Sequence, residues 1–246
     1  MATTAAASWK ISKPAPGVML VEYLNPPENR LTAGMLSELA SVLEAAESDK
    51  DLACLVLASG LDGYFIGDTS QDDLEALRAA RSPQSQLMPW FQACSRLAGF
   101  PAIVIAAIDG LASGTGIELA LCCDIRIVGK SARFEFPWFR SGLLPFAGGT
   151  QRLARLVGRS RALWLLASDR AVDAESAVAL GLADEATQGS ARDRALDIAT
   201  NLGRGKPEVA RRLKTAMQGS EVPLQEGLAL EARLASSILR SEREPN

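Results

Sequence analysis

The residues best suited to chemistry lie in one run, Pro101 to Asp124, PAIVIAAIDGLASGTGIELALCCD. Gly114 and Gly116 bracket Thr115 just ahead of a helical run, Ile117 to Cys123, and Glu118 sits inside that run. Glycines at a strand-to-helix junction let a ligand approach the backbone, and free N–H groups at a helix N-terminus can hold a developing negative charge. Glu118 has Ile117, Leu119, Ala120, Leu121, Cys122 and Cys123 around it and no cation nearby in sequence. Such a carboxylate is paired, exposed along an edge, or held with a raised pKa, and the last option makes a general acid or base near neutral pH. The alternative is a first-turn glutamate that only meets the helix dipole. The chain contains no histidine. That excludes a histidine triad, histidine metal ligands and a histidine proton shuttle.

The elements that must position this run can be read on either side of it. Ala102 to Ile108 is a continuous apolar, β-branched segment, the pattern of a strand covered on both faces, and Asp109-Gly110 turns the chain after it. Upstream, beyond a loose start, Val18 to Tyr23 reads as a strand ended by Asn25-Pro26-Pro27. Thr32 can cap a helix carrying Met35, Leu36, Leu39, Val42 and Leu43 at helical spacing, and Leu52 to Ala58 is a second buried strand. Strand, helix, strand at this spacing predicts a βαβ unit and a parallel sheet. Helical material follows from Gln71 to about Leu97, interrupted at Ser82-Pro83 and at Pro89. Leu87, Met88, Trp90 and Phe91 there read as core.

After the central run, Asp124 to Val128 and Arg133 to Phe136 read as extended, and Thr150 to Val157 as a helix stopped by Gly158. Ala162 to Ala167 is helical, and Asp173 can cap a helix from Ala174 to Leu180. From Ser190 on, the pattern is all helix, near 190–202, 207–218 and 223–240. The chain thus passes from alternating βα units, 1–190, to a helical region, 191–246.

The 246 residues suffice for an extensive core. Hydrophobic residues make up 48% and charged residues 22%, and the net charge is −3. No dense Lys/Arg tract offers a nucleic-acid surface, so a small-molecule partner is expected. Cys54, Cys94, Cys122 and Cys123 lack zinc-type spacing and fit a reducing, cytoplasmic setting, so no metal is expected. MATTAAASWK does not read as a signal peptide, and no stretch reaches the ~20 apolar residues of a spanning helix.

Three blocks, AAIDGLASGTGIELALCCDIRI, ARFEFP and GLLPFAGGTQRL, resemble the crotonase superfamily, the enoyl-CoA hydratase/isomerase family, over about Val18 to Arg240. The resemblance implies an α/β crotonase (ClpP-like) spiral of ββα units with a C-terminal helical trimerisation region. It implies an acyl-CoA substrate, with coenzyme A as part of the substrate and no other cofactor, and a homotrimer or dimer of trimers. Leu228, Leu230, Leu234, Ile238 and Leu239 would supply contact surface for such an assembly.

By the same resemblance, the backbone N–H groups of Asp68 and Thr115 form the oxyanion hole that holds the thioester oxygen, and Glu118 is the catalytic acid/base. Asp68 stands where the family usually has a small residue, and its side chain is either turned into its own loop or near the forming enolate. The segments matching the family's CoA contacts are Asn29-Arg30-Leu31 and Gly67 to Gln71; Phe65, just ahead of the first amide, and Gly114 at the hole are further substrate-binding candidates. The resemblance also implies that Leu87, Met88, Trp90 and Phe91 line an acyl pocket instead of serving only as core. The second glutamate of the family's hydratases is replaced by Trp138, which cannot take a proton from water. Glu135 and Asp68 are the carboxylates that could stand in for it, and Glu135 otherwise reads as a solvent-facing strand residue. Trp138 and Phe146, with Phe139, suggest a bulky or aromatic acyl pocket. The expected activity is that of an enoyl-CoA hydratase or isomerase working through Glu118; the alternative is an acyl-CoA-binding homologue with little hydratase activity.

Overall fold

The computed structural model describes residues 7–168 and 170–241, without the side chains of 221 and 239–241, so Leu239 lies outside the described side chains. The first half comprises β1 (Ser8–Ala15), β2 (Val18–Leu24), α1 (Ala33–Ala46), β3 (Cys54–Ser59), α2 (Gln71–Ala79), α3 (Pro83–Gln86) and α4 (Met88–Gly99). The central part holds β4 (Ile103–Ile108), β5 (Leu111–Ser113), α5 (Thr115–Ala120), β6 (Ile125–Gly129) and β7 (Arg133–Glu135). Then come α6 (Gly149–Val157), α7 (Arg159–Ala167), β8 (Val172–Asp173), α8 (Ala174–Leu180), β9 (Glu185–Thr187), α9 (Ala191–Gly203), α10 (Pro207–Gln218) and α11 (Leu224–Ser241).

A six-stranded sheet runs in the order β1-β2-β3-β4-β6-β9, parallel except for the antiparallel β1–β2 edge. Side chains alternate across a strand, so each strand serves two cores. On one face Val18, Leu20, Val56, Ile105 and Ile127 pack with Ala191, Ala195 and Ala199 of α9. Alanines four residues apart form one small-residue face, which lets that helix lie close to the sheet. The opposite face, with Val21, Leu55, Leu57 and Val104, meets Leu36, Leu39 and Leu43 of α1 and Leu97 of α4. Both layers are thus closed, which explains why β4 is buried along its whole length. A second, three-stranded sheet, β5-β7-β8, stands beside this layer and carries the central loop.

Several boundaries differ from the sequence reading. The loose start is in fact β1: Trp9 pairs with Tyr23 across the hairpin, their rings 4.5 Å apart, and its Nε1 donates to the Met35 carbonyl at 2.8 Å. The backbone ladder to β2 and this anchored aromatic pair hold the edge strand, and Pro16-Gly17 was its turn signal. The expected helix from Ile117 to Cys123 starts at Thr115 and ends at Ala120. The chain must turn there so that Asp124 can exchange hydrogen bonds with the backbone of Val104, at 2.7 and 2.9 Å, and enter β6. Pro89 does not interrupt a helix but lies in the first turn of α4, where its missing N–H costs nothing. All four cysteines are free and buried, and desolvation pushes the Cys54 thiol up to about 12, so it behaves as a small hydrophobe at neutral pH. Among the described residues no helix is long and apolar enough to cross a membrane, and no group of three or more Cys, Asp or Glu could hold a metal ion.

Candidate active site

Two loops are fastened together at the heart of the molecule. Phe65 N–H donates to Leu111 O at 2.8 Å, Ser113 N–H to Ile66 O at 3.2 Å and Gly116 N–H to Gly67 O at 3.2 Å. This close approach requires glycine at position 116, where a Cβ would stand 2.0 Å from Ile66 O. Asn29, which the sequence reading placed only within a candidate CoA loop, locks the outer side. It is fully buried with φ of 52°; its Nδ2 donates to Phe65 O at 2.6 Å and its Oδ1 accepts from Asn25 N at 2.7 Å. Asparagine tolerates positive φ, and that was the available signal. The backbone of Leu31 brackets the same loop, donating to Asp68 O and accepting from Ser70 N. The Leu31 and Phe65 side chains are both fully buried in the core.

Asp68 turns in both of the directions considered for it. Its Oδ1 accepts from its neighbour Thr69 N at 2.8 Å, and the same atom reaches across to Thr115 N at 3.1 Å and Thr115 Oγ1 at 3.3 Å. Its carboxylate therefore sits on one of the two amides expected to receive a thioester oxygen. Gly114, with φ of 50°, leaves the room for it: a Cβ there would lie 2.0 Å from Asp68 Oδ1. Behind it, Thr69 Oγ1 and Thr115 Oγ1 are 2.7 Å apart and Trp90 Nε1 donates to Thr69 Oγ1 at 3.2 Å, all buried. Thr69 and Trp90 had no polar role in the sequence reading, because this contact joins residues 21 and 46 positions apart.

Glu118 is fully buried in α5. Its Oε1 accepts from Ala147 N and Gly149 N, both at 2.8 Å, at the start of α6, while Oε2 has no hydrogen-bond partner among the described residues. Burial raises its pKa from 4.5 to about 7, against the pull of the backbone amides, with the Asp68 charge adding to the rise. One oxygen is thus fixed and the other is free to carry a proton near neutral pH. The dipole-only reading of Glu118 does not describe this carboxyl, whose bonds go to another helix.

Trp138 is 3% exposed and its Nε1 is buried without a partner among the described residues. Its ring lies 6.3 Å from that of Phe136, and Phe146 stands edge-on to Trp90 at 5.9 Å. Phe139 is 68% exposed and does not share this cluster. Glu135 is half-buried, accepts from Arg133 Nε at 3.0 Å and borders the same cavity as Asp68. Arg30 pairs with Glu28 at 2.6 Å. A cavity of about 370 Å³ is lined by Arg30, Tyr64, Gly67, Asp68, Glu135 and Arg140 among others. Neither Thr115 nor Glu118 lines it, so Asp68 stands between this opening and the carboxyl's helix.

Comparison with known proteins places this geometry. The enoyl-CoA hydratase/isomerase family model matches residues 14–244. The chain is 34% identical over 228 residues to the 2,3-dehydroadipyl-CoA hydratase of Escherichia coli, covering 91% of this chain and 88% of that protein. It is 36% identical over 227 residues to the mitochondrial methylglutaconyl-CoA hydratase of Mus musculus, covering 88% of this chain and 71% of that protein. Among solved structures, the enoyl-CoA hydratase from Bacillus anthracis superimposes with a TM-score of 0.85 at 26% identity, over 94% of this chain and 91% of that one. Pseudomonas aeruginosa DspI does so with a TM-score of 0.85 at 29% identity, over 97% and 98%. The chain therefore belongs to the enoyl-CoA hydratase/isomerase family and is an acyl-CoA enzyme on the crotonase fold.

Proposed function

We propose that Glu118 moves a proton at a carbon of a bound acyl-CoA while the thioester oxygen, gaining charge as an enolate forms, is held by the backbone N–H groups of Asp68 and Thr115. The observation that carries this reading is the Glu118 carboxyl itself: fully buried, anchored through one oxygen, unpartnered at the other and titrating at about 7. A group with a pKa near the working pH is the one that both takes and gives a proton efficiently. Arg30, Gly67 and the loop to Gln71 border the cavity through which the CoA portion would lie, and Gly114 frames the hole. On this reading the acyl group would pack against Trp138, in the hydrophobic core, and Phe146, packed against that core, neither of which lines that cavity. With Trp138 in place of a second carboxylate, water cannot be held between two glutamates, and a single-carboxyl proton transfer, as in isomerisation, fits best.

Activity is tested with crotonyl-CoA and a non-conjugated 3-enoyl-CoA, following the conjugated thioester by absorbance. Glu118→Gln should reduce turnover about 10²-fold or more, the usual contribution of a positioned acid or base. Turnover unchanged in that variant would remove Glu118 from the chemistry. A second reading, acyl-CoA binding with little turnover, is favoured by the Asp68 carboxylate on the Thr115 amide; it predicts saturable binding without conversion of either substrate. As part of the same proposal the chain assembles as a trimer or a dimer of trimers, supported by the exposed Leu213 and Met217 on α10. Sedimentation at the mass of one chain would contradict it.

A further inference from the structure

The oxyanion site of this chain already has an occupant. We propose that the Asp68 carboxylate is an internal latch on the Thr115 amide, which the thioester oxygen of an acyl-CoA must displace before Glu118 can act on the acyl chain. The inference rests on the reading above, that the Thr115 N–H receives that oxygen.

The latch is built. Asp68 Oδ1 accepts from Thr69 N, Thr115 N and Thr115 Oγ1 at 2.8, 3.1 and 3.3 Å. The hydroxyl directions follow from chemistry. An indole N–H only donates, so Trp90 Nε1 takes a lone pair of Thr69 Oγ1 at 3.2 Å. The Thr69 hydrogen is then free to point along the 2.7 Å contact to Thr115 Oγ1, and the Thr115 hydrogen along the contact to Asp68. The relay thus runs from Trp90 through the two hydroxyls and ends on the carboxylate. Trp90 also packs edge-on against Phe146, so the anchor of the latch touches one of the two aromatic residues assigned above to the acyl group.

A carboxylate accepts hydrogen bonds more strongly than a neutral thioester carbonyl does, and charge-assisted bonds are about twice as strong as neutral ones. The resting carboxylate therefore competes with the ground-state substrate for one amide. An enolate oxygen competes on more even terms but would stand beside a like charge. The latch thus acts on binding and on enolate formation together. Because Asp68 lines the cavity and is only half-buried, its side chain has room to swing outward.

The test uses acetoacetyl-CoA, a 3-oxoacyl thioester with no double bond to hydrate, as a calorimetric probe, together with turnover of the enoyl-CoA substrates. Asp68→Ala should tighten acetoacetyl-CoA binding about tenfold or more. It should also raise kcat/KM by up to the 10²- to 10³-fold that one oxyanion donor contributes in comparable sites. Asp68→Asn, which keeps the shape and removes the charge, should give a smaller gain in both. Thr115→Val keeps the backbone N–H and removes the hydroxyl that steadies the carboxylate, and it too should gain. Probe affinity and kcat/KM within twofold of the unsubstituted protein, or below it, in whichever of these variants fold would overturn the latch. The double variant Asp68→Ala with Glu118→Gln separates the two readings. Tighter probe binding with undiminished turnover would keep the latch and remove Glu118 from the chemistry. Turnover lost with Glu118 but no gain from any of the three would keep Glu118 and remove the latch.

Discussion

A carboxyl that folding makes harder to ionise leaves a mark on stability as well as on rate. Glu118 rises from 4.5 to about 7, so between those pH values the folded state binds more protons than the unfolded one. The sign is opposite to that of a salt-bridged carboxylate: the stabilisation is present below pH 4.5 and is lost as pH rises through 7. Its full size is at most about 3 to 4 kcal/mol, from roughly 1.4 kcal/mol per pKa unit over the rise from 4.5 to about 7. Glu118→Gln keeps an oxygen for the Ala147 and Gly149 amides and never ionises. We expect its Tm to exceed that of the unsubstituted chain by several degrees at pH 8 and to match it near pH 4.5. Equal Tm differences at the two pH values would mean that Glu118 is not buried as an acid. Asp68 illustrates what residue type leaves open. An aspartate beside Thr69 could be read as turn chemistry from sequence, but its second bond crosses 47 positions to Thr115, and no local pattern encodes that.

At the level of elements, most of the layout was legible because local signals and burial agreed. Thr32 accepts from Met35 N as the cap of α1, Asp173 from Ser176 N as the cap of α8, and Gly158 and Gly181 end their helices at positive φ. What was hidden depends on partners far along the chain. The edge strand β1 is held by its antiparallel pairing with β2 and by the Trp9–Tyr23 contact, and the short β8 and β9 are two and three residues long, too short for a period. Asp109 read only as a turn residue. In the fold its carboxylate accepts from Ser190 Oγ, Ala191 N and Arg192 N at 3.0 to 3.2 Å, capping α9 from 81 to 83 residues away. Since α9 packs on one face of the sheet and Asp109 satisfies two N–H groups of its first turn beside the Ser190 cap, Asp109→Ala should destabilise the fold by about 1 to 2 kcal/mol, the range of helix-cap losses. Urea unfolding would show this as a lower midpoint with an unchanged slope; an unchanged midpoint would mean the helix is held by its alanine face alone.

Across the whole molecule, the helices that follow the sheet are tied back to the run that carries the candidate site. Lys214 of α10 is buried and reaches Asp124 at 2.8 Å and the Ala102 carbonyl at 3.2 Å, at the exit of α5 and the entry of β4. Arg212 bonds both Glu208 and Ser237, joining α10 to α11. These contacts tie the terminal helices to the start and the end of the run that carries Glu118. The role proposed for Glu118 is proton transfer to and from an acyl carbon. Deuterium uptake tests it most directly, because exchange requires only enolate formation and one base, not completed hydration. Incubated in D2O with a non-conjugated 3-enoyl-CoA, the protein should place deuterium on the acyl chain, read by mass spectrometry. Asp68→Ala should do so faster, and Glu118→Gln should exchange at least 10²-fold more slowly. Exchange at equal rates with and without the Glu118 carboxyl would contradict the account.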